Sequence, residues 1–316
     1  MTEASKPSAV SVEAVAALDI GGTKTAAAIV TRQGKVVDLV TAATPGRAGA
    51  SAVLDTAAGL VGQLMARSAG TAVRALGVGS AGVIDSRTGR VLSATDVLTG
   101  WAGTDLRGTL HQRLGLPVTV INDVHAHALG EARHGIAAGC ETVLFIAVGT
   151  GIGASFVVGG TALAGAHSAA GHAGHQSSPY AGSLRCTCGG QGHLEAIASG
   201  PGLATEYARR TGQSVDDLRS VAALAEDGDE TAREIILLGG AAVGSAVGGL
   251  VNMLDPDAVV VGGGVTGLGE LWWQALRDGV KRETLPSLDD VPVLASALGS
   301  HAPLLGAASL AWEALA

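Results

Sequence analysis

The sequence predicts an α/β protein built of two similar halves with a cleft between them. Three observations carry the prediction. A strand, a tight turn of glycine and threonine and a second strand occur at residues 15–30 and again at 142–158. Short runs of Val, Ile, Leu and Ala alternate with longer stretches of helical period, the pattern of strands covered by helices. With 316 residues, 47% of them hydrophobic, the chain is long enough for two domains. Only 3% of residues are aromatic, so the cores must be packed from Ala, Val, Leu and Ile.

Taken in order, VAALDI at 15–20 reads as a buried strand, 25–30 as a second after the turn, and 35–43 as a third after a hairpin at Gln33-Gly34. Residues 50–67 have helical period, 73–79 form a strand, and 79–82 a loop of small residues. A helix at 105–114 leads to a short strand at 118–121, which ends in Asn122-Asp123; a helix then runs to about His134 and stops at Gly135. The second half opens with strands at 142–148 and 154–158, joined through Gly149–Gly153, with a hairpin at Gly159-Gly160. From 195 to 254 the chain is mostly helical. Strands at 258–261 and 291–295 and a helix at 302–314 complete it.

Composition excludes several classes. A net charge of -8 gives no basic face for nucleic acid. Residues 1–13 are polar and lack the apolar run of a secretory signal, so they read as a disordered tail. Residues 235–254 are uncharged but hold Gly239, Gly240, Gly244, Gly248 and Gly249, with no aromatic or basic flank. They read as a glycine-packed helix of a soluble domain rather than a membrane span. Two of the three cysteines stand in Cys186-Thr187-Cys188, which suggests a metal site in a reducing cytoplasm rather than a disulfide framework.

The chemistry gathers in four places. Turns at Gly21-Gly22-Thr23 and Gly149-Thr150-Gly151 present rows of backbone N–H groups that no Cβ shields, which suits phosphate. Each turn alone is an ordinary hairpin feature; together, at the head of each half, they suggest a nucleotide clamp. Neither fits the P-loop or Rossmann pattern. Gly262-Gly263-Gly264 follows a strand and could pass close to a base or ribose. Asp123, at a strand end and helix start, suits a general base in phosphoryl transfer, and the local sequence equally allows a helix N-cap. His175, Cys186, Cys188 and His193 supply two nitrogens and two sulfurs, a closed set that suits structural zinc.

These pieces, in this order from Ala16 onward, resemble the ROK family of sugar kinases and repressors, within the actin/hexokinase-like ATPase superfamily. The resemblance is carried by DIGGTK at 19–24, by 79–83, by Asn122-Asp123 with Gly130-Glu131, and by 149–153, 171–175, 186–195 and 261–264. It implies a duplicated, ribonuclease H-like two-domain fold: a small domain of 14–122 plus 300–316, and a large domain of 123–299 carrying the zinc-binding loop. It also implies ATP- and Mg²⁺-dependent phosphorylation of the 6-hydroxyl of a hexose or N-acetylhexosamine, by a cytoplasmic homodimer. Asp123 would be the base. Ala81, Gly82, Asn122, His172, His175 and Glu195 would contact the sugar, with His175 also on zinc. Asp19 and Lys24, with Gly21, Gly22 and Thr23, would lie near Mg²⁺ and the phosphates. Gly149, Thr150 and Gly151 would hold phosphates, and Gly262, Gly263 and Gly264 adenosine.

The chain departs from the family pattern in three places. His193 stands for a third cysteine, His125 for the usual Asn after the base, and His172 for the Glu in Ala-Gly-Glu-x-Gly-His. Bacterial N-acetylmannosamine kinases look the same at His172, and they share the look of the segments at 195–202 and 304–308. That tilts the expected substrate to N-acetylmannosamine, with glucose as the alternative. A sugar-binding protein without turnover is the third reading. A repressor is disfavoured, because too few residues precede the first strand for a DNA-binding domain.

Overall fold

The computed structural model describes residues 12–68 and 70–316. The expected tail at 1–13 therefore lies outside the described residues up to 11, while Val12 and Glu13 belong to the first strand. The chain divides into two compact units, Met1–His127 with Pro303–Ala316, and Ala128–Ala302.

The first unit begins with β1 (Val12–Ile20), β2 (Lys24–Thr31) and β3 (Val36–Ala43), then α1 (Ala50–Arg67) and β4 (Thr71–Ser80). A small hairpin, β5 (Val83–Asp85) and β6 (Arg90–Ser93), follows, then α2 (Leu106–Leu114) and β7 (Val118–Asn122); α3 (Asp123–His134) begins in the first unit and belongs to the second from Ala128. The second unit holds β8 (Thr142–Val148), β9 (Ile152–Val158), β10 (Thr161–Ala162) and a long irregular loop. It continues with α4 (Leu194–Ala198), α5 (Gly200–Thr211), α6 (Leu218–Glu226), α7 (Glu230–Leu254), β11 (Ala258–Gly262), α8 (Glu270–Glu283) and β12 (Val293–Ala295). Helix α9 (Ala302–Glu313) returns the chain to the first unit.

The two sheets share one topology. Their strand orders are β3-β2-β1-β4-β7 and β10-β9-β8-β11-β12. In each, three strands form an antiparallel meander and two more join parallel to its first strand. The duplication read from two glycine turns is thus a duplication of the whole strand plan. The middle of β1, Ala14 to Leu18, is an unbroken apolar run because both its faces are covered, and these residues have no exposure at all.

Helix signals act locally as expected. The buried face of α1 is Val53, Leu54, Ala57, Leu60, Val61 and Leu64, the spacing of one helical stripe. Burying each of its larger side chains contributes about 1.5–3 kcal/mol. Asp105 caps α2 by accepting from Gly108 N at 2.9 Å, and Gly115, at φ 69°, ends it. The β5–β6 hairpin and α8 are additions to the sequence reading. The hairpin strands are only 3 and 4 residues long. α8 starts at Gly269 without a side-chain cap, although its buried face, Trp272, Ala275, Leu276, Gly279 and Val280, has helical spacing.

Among the described residues, α7 is the one helix long and apolar enough to cross a membrane, with a mean hydropathy of 1.8. Its glycines explain that composition. A Cβ at Gly240 would overlap the carbonyl oxygen of Trp272, one at Gly244 that of Leu276, and one at Gly248 would lie 2.8 Å from Val280 O. These three residues, four apart, form a seam where α7 and α8 approach backbone to backbone, and a Cβ on Gly279 of α8 would lie 2.9 Å from Gly244 Cα. Gly249, one position off the seam, faces open space. Gly244→Ala is therefore expected to cost about 1–3 kcal/mol in urea unfolding, as overpacking does. Gly249→Ala is expected to be neutral or to stabilise by up to about 1 kcal/mol.

Candidate functional site

In the first unit, three parallel strand ends set the polar residues in one row. The register pairs Asp19 of β1 with Gly79 of β4, Gly79 with Ile121 of β7, and Ser80 with both Ile20 and Asn122. Asp19, the 79–82 loop and Asn122-Asp123 are therefore neighbours at the carboxyl ends of adjacent strands, where α/β sheets bind ligands.

The loop is rigidly backed. Buried Trp101 donates from Nε1 to Ala81 O at 3.1 Å and Ser80 Oγ at 3.3 Å. Ala81 N donates to Ile20 O at 3.0 Å. Gly82 has φ 102°, and a Cβ there would lie 2.8 Å from Ser93 O. The turn at 21–24 closes through Gly21 N to Lys24 O at 3.0 Å, and Thr44 Oγ1 donates to Gly21 O at 2.8 Å. A Cβ on Gly22 would press on the exposed Val97 side chain, 2.6 Å from its Cγ1.

The start of α3 resolves the ambiguity at Asp123. Asn122 is the cap: its Oδ1 accepts from Val124 N at 2.9 Å and His125 N at 3.1 Å. Its Nδ2 donates to Gly82 O and to Asp123 Oδ1, both at 2.9 Å. All four hydrogen-bonding positions of this carboxamide are engaged. Asp123 Oδ1 also accepts from Val124 N at 2.9 Å. The carboxylate is thus oriented at the N-terminus of a helix, where negative charge is favoured.

Asp19 is half-buried. Loss of hydration, then the nearby Asp123 charge, push its carboxyl from 3.8 up to about 7, against the pull of Lys24.

The second unit gathers the remaining predicted residues. Gly149 N donates to Gly151 O at 2.9 Å, and Gly149 O accepts from Gly200 N at 2.8 Å. The turn thus leans on the start of α5. Gly263, at φ 95°, packs so closely on β8 that a Cβ would overlap Val148 O, which brings the 262–264 loop beside Gly149. A cavity of about 970 Å³ opens from these two loops. Gly149, Thr150 and Gly264 line one part of it; Ala204, Leu218 and Leu268 give it apolar walls. The walls on α5 and α6 escaped the sequence reading, because Ala and Leu at helical spacing are indistinguishable from core.

The metal loop is held by short backbone links such as Cys186 N to Gly190 O at 2.9 Å and Leu194 N to Gln176 O at 3.0 Å. The four ligand atoms of His175, Cys186, Cys188 and His193 all lie within 4.8 Å of one another. His175 Nδ1 is 3.5 Å from Cys186 Sγ, and His193 Nδ1 is 3.2 Å from Cys188 Sγ. Imidazole and thiolate ligands around tetrahedral zinc stand roughly 3.3–3.8 Å apart, so the set fits such an ion. Burial pushes the Cys186 thiol up, the opposite of what a bound cation does to a sulfur ligand.

His172 lies beside this loop, its ring stacked on His175 with centroids 6.0 Å apart. Its Nδ1 is 3.0 Å from Ala169 O, so Nδ1 carries the proton and Nε2 is the acceptor in the neutral ring. Glu195 Oε2 accepts from Ile152 N at 2.9 Å, and Oε1 from Thr187 Oγ1 at 2.8 Å. The predicted site residues therefore fall into two groups. Asp19, Gly21 to Lys24, Ala81, Gly82, Asn122 and Asp123 lie in the first unit, and all the others in the second.

The ROK family profile matches residues 15–314. The chain is 35% identical to an N-acetylmannosamine kinase of Escherichia coli over 296 residues, which is 93% of this chain and 97% of that one. It is 31% identical to a glucokinase of Streptomyces coelicolor over 318 residues, covering 94% and 96% of the two chains. A crystal structure of a ROK family glucokinase from Streptomyces griseus, in complex with glucose and AMPPNP, superposes with a TM-score of 0.81 at 33% identity, covering 95% of this chain and 99% of that one. An α/β chain with this repeated strand plan and these matches is an actin/hexokinase-like protein. It belongs to the ROK family.

The Asp19 shift gives a stability test. The unfolded carboxyl ionises near 3.8, whereas the folded one keeps its proton up to about 7. Between those values the folded state binds more protons, so stability falls as pH rises and levels off above about 7. Asp19→Asn removes this term. Its advantage over wild type in thermal unfolding is expected to widen from about pH 4 to about pH 7 and then stay constant; a flat difference would mean that Asp19 titrates normally.

Proposed function

We propose that the chain is an ATP- and Mg²⁺-dependent sugar kinase that phosphorylates the 6-hydroxyl of N-acetylmannosamine. The observation that carries the kinase reading is the oriented Asp123 carboxylate beside Asp19 at the ends of three parallel strands. Asp123 accepts the proton of the attacking sugar hydroxyl as its oxygen bonds to phosphorus. Asn122, saturated by its own hydrogen bonds, holds the base in place rather than binding sugar. Asp19 and Lys24 serve the Mg²⁺–phosphate end, and Mg²⁺ supplies charge neutralisation there when bound.

In the second unit, the turn at 149–151 takes phosphate oxygens on its N–H groups. The cavity that continues from it past Gly264 takes the adenosine, since its volume and apolar walls suit a flat base and ribose. His172, His175 and Glu195 take sugar hydroxyls. His175, Cys186, Cys188 and His193 hold zinc, which orders a loop with little core of its own and does no chemistry.

His172 supports N-acetylmannosamine over glucose. A glutamate can accept at both oxygens, whereas His172, with Nδ1 turned to Ala169 O, offers at most one acceptor at Nε2. A site with fewer acceptors suits a sugar whose 2-position carries an acetamido group rather than a hydroxyl. The E. coli N-acetylmannosamine kinase and the Streptomyces glucokinases keep glucose as the second reading.

A coupled ADP-release assay over N-acetylmannosamine, N-acetylglucosamine, glucose, mannose and fructose tests this. Turnover is expected to be fastest with N-acetylmannosamine, and His172→Glu to shift kcat/KM toward glucose; a wild-type preference for glucose would sink the substrate assignment. Asp123→Asn is expected to lose at least ~10²-fold in kcat with sugar binding kept. Tight sugar binding without turnover in wild type would instead support a sugar-binding regulator.

Elemental analysis is expected to find roughly one zinc per chain, lost in Cys188→Ser. Chelation is expected to lower the unfolding temperature as well as activity.

A further inference from the structure

Thr187 stands between the two sulfur ligands, Cys186 and Cys188. Its side chain is exposed, so burial gives it no role in the core. Its hydroxyl donates to Glu195 Oε1 at 2.8 Å. The other oxygen of the same carboxylate, Oε2, accepts from Ile152 N at 2.9 Å. Ile152 is the first residue of β9 and closes the glycine turn at 149–151. The carboxylate also fills the space that a side chain on Gly151 would need, 2.7 Å from the position of a Cβ there. One carboxylate thus joins the metal loop to the turn, and the only hydroxyl holding its free end belongs, among the described residues, to Thr187.

We propose that Thr187 is a positioning residue that transmits order from the metal loop, through Glu195, to the glycine turn. Each step has a physical basis. A metal on Cys186 and Cys188 fixes the backbone on both sides of Thr187. A β-branched side chain has few χ1 positions, so a fixed backbone fixes its hydroxyl. A hydroxyl bonded to a carboxylate makes a charge-assisted hydrogen bond, stronger than a neutral one. The carboxylate held at Oε1 can then keep Oε2 on the Ile152 amide, while lone pairs remain on both oxygens for sugar hydroxyls. The coupling requires no movement of the fold. It keeps one acceptor and one turn in a single arrangement, so that the phosphate-binding turn and a sugar contact are preorganised together.

Hydrogen exchange in the full-length protein tests this without relying on turnover. The segment 149–153 is followed in wild type, Thr187→Val and Thr187→Ser, each with its metal and after chelation, with metal content measured in parallel. Thr187→Val, which keeps the shape and loses the hydroxyl, is expected to speed exchange at Ile152 by about fivefold or more with the metal retained. Thr187→Ser restores slow exchange. Chelation is expected to speed the same amide in wild type and to add little in Thr187→Val, since the link is already cut.

The proposal is overturned if Thr187→Val exchanges like wild type, if Thr187→Ser behaves like the valine variant, or if chelation acts equally on both. Loss of metal from Thr187→Val also overturns it, because the hydroxyl would then serve the metal loop itself. The sugar role of Glu195 rests on the kinase reading above. On that reading, Thr187→Val also raises the sugar KM about fivefold with a smaller change in kcat. Absence of turnover in wild type would remove that reading and leave the exchange result standing.

Discussion

Backbone approaching backbone is the constraint on which this chain depends. With 3% aromatic residues and 48 glycines, it cannot fill wide gaps with large side chains, so it closes them. Helices α7 and α8 meet without intervening side chains at Gly240, Gly244 and Gly279. Strand β4 meets α9 where Gly77 faces the carbonyl of Ala307, and α3 meets the start of α9 where Gly130 faces Ala302. At such seams a single added methyl has no free volume, because packed interiors leave few voids. The same close approach that packs the cores also forms the binding elements. Gly22, Gly82, Gly151 and Gly263 each lie where a Cβ would strike a neighbour, and each sits in a loop at a strand end. Core construction and site construction are one device used twice.

The sequence carried the strand plan well for this reason. Apolar runs buried on both faces and glycine turns between them are signals of period and composition, and the order of strands, turns and long helices could be read from them. α8 shows a physical limit. Its buried residues repeat correctly, but it begins after a glycine without a capping side chain, so nothing marks its start. In the candidate site, the residues with distinctive chemistry could be singled out: Asp123, the Cys-x-Cys pair and His172. Their partners could not. Trp101, which backs the 79–82 loop, lies 20 residues away in a stretch with no motif. Nothing in the order Cys-Thr-Cys says that the threonine faces Glu195 rather than water. Whether Asn122 or Asp123 caps α3 is likewise a matter of geometry, since both residues favour the position.

That last distinction governs the chemistry of the first unit. A carboxylate that caps a helix accepts two or more backbone N–H groups, which holds its proton affinity down and makes it a poor base. With Asn122 as the cap, the side-chain oxygen facing the amides of Val124 and His125 is neutral, and Asp123 Oδ1 shares the Val124 amide with it. Asp123 is oriented by the Asn122 amide on Oδ1. The adjacent Asn-Asp pair therefore leaves the closing of the helix mainly to the neutral carboxamide.

The neighbouring Asp19 completes the electrostatics. Asp19 and Asp123 lie at the ends of the strands on either side of β4, and Asp19 is pushed up to about 7 by burial first and by Asp123 second, while Lys24 pulls the other way. A cation close to Asp19 would reverse its shift, since opposite charge favours ionisation. The arrangement is therefore suited to a positively charged cofactor at the Asp19 end and to a neutral, hydroxylic substrate at Asp123, where an additional negative group would meet repulsion. A sugar meets that requirement before phosphorylation, and its phosphorylated product, carrying the charge, meets it less well.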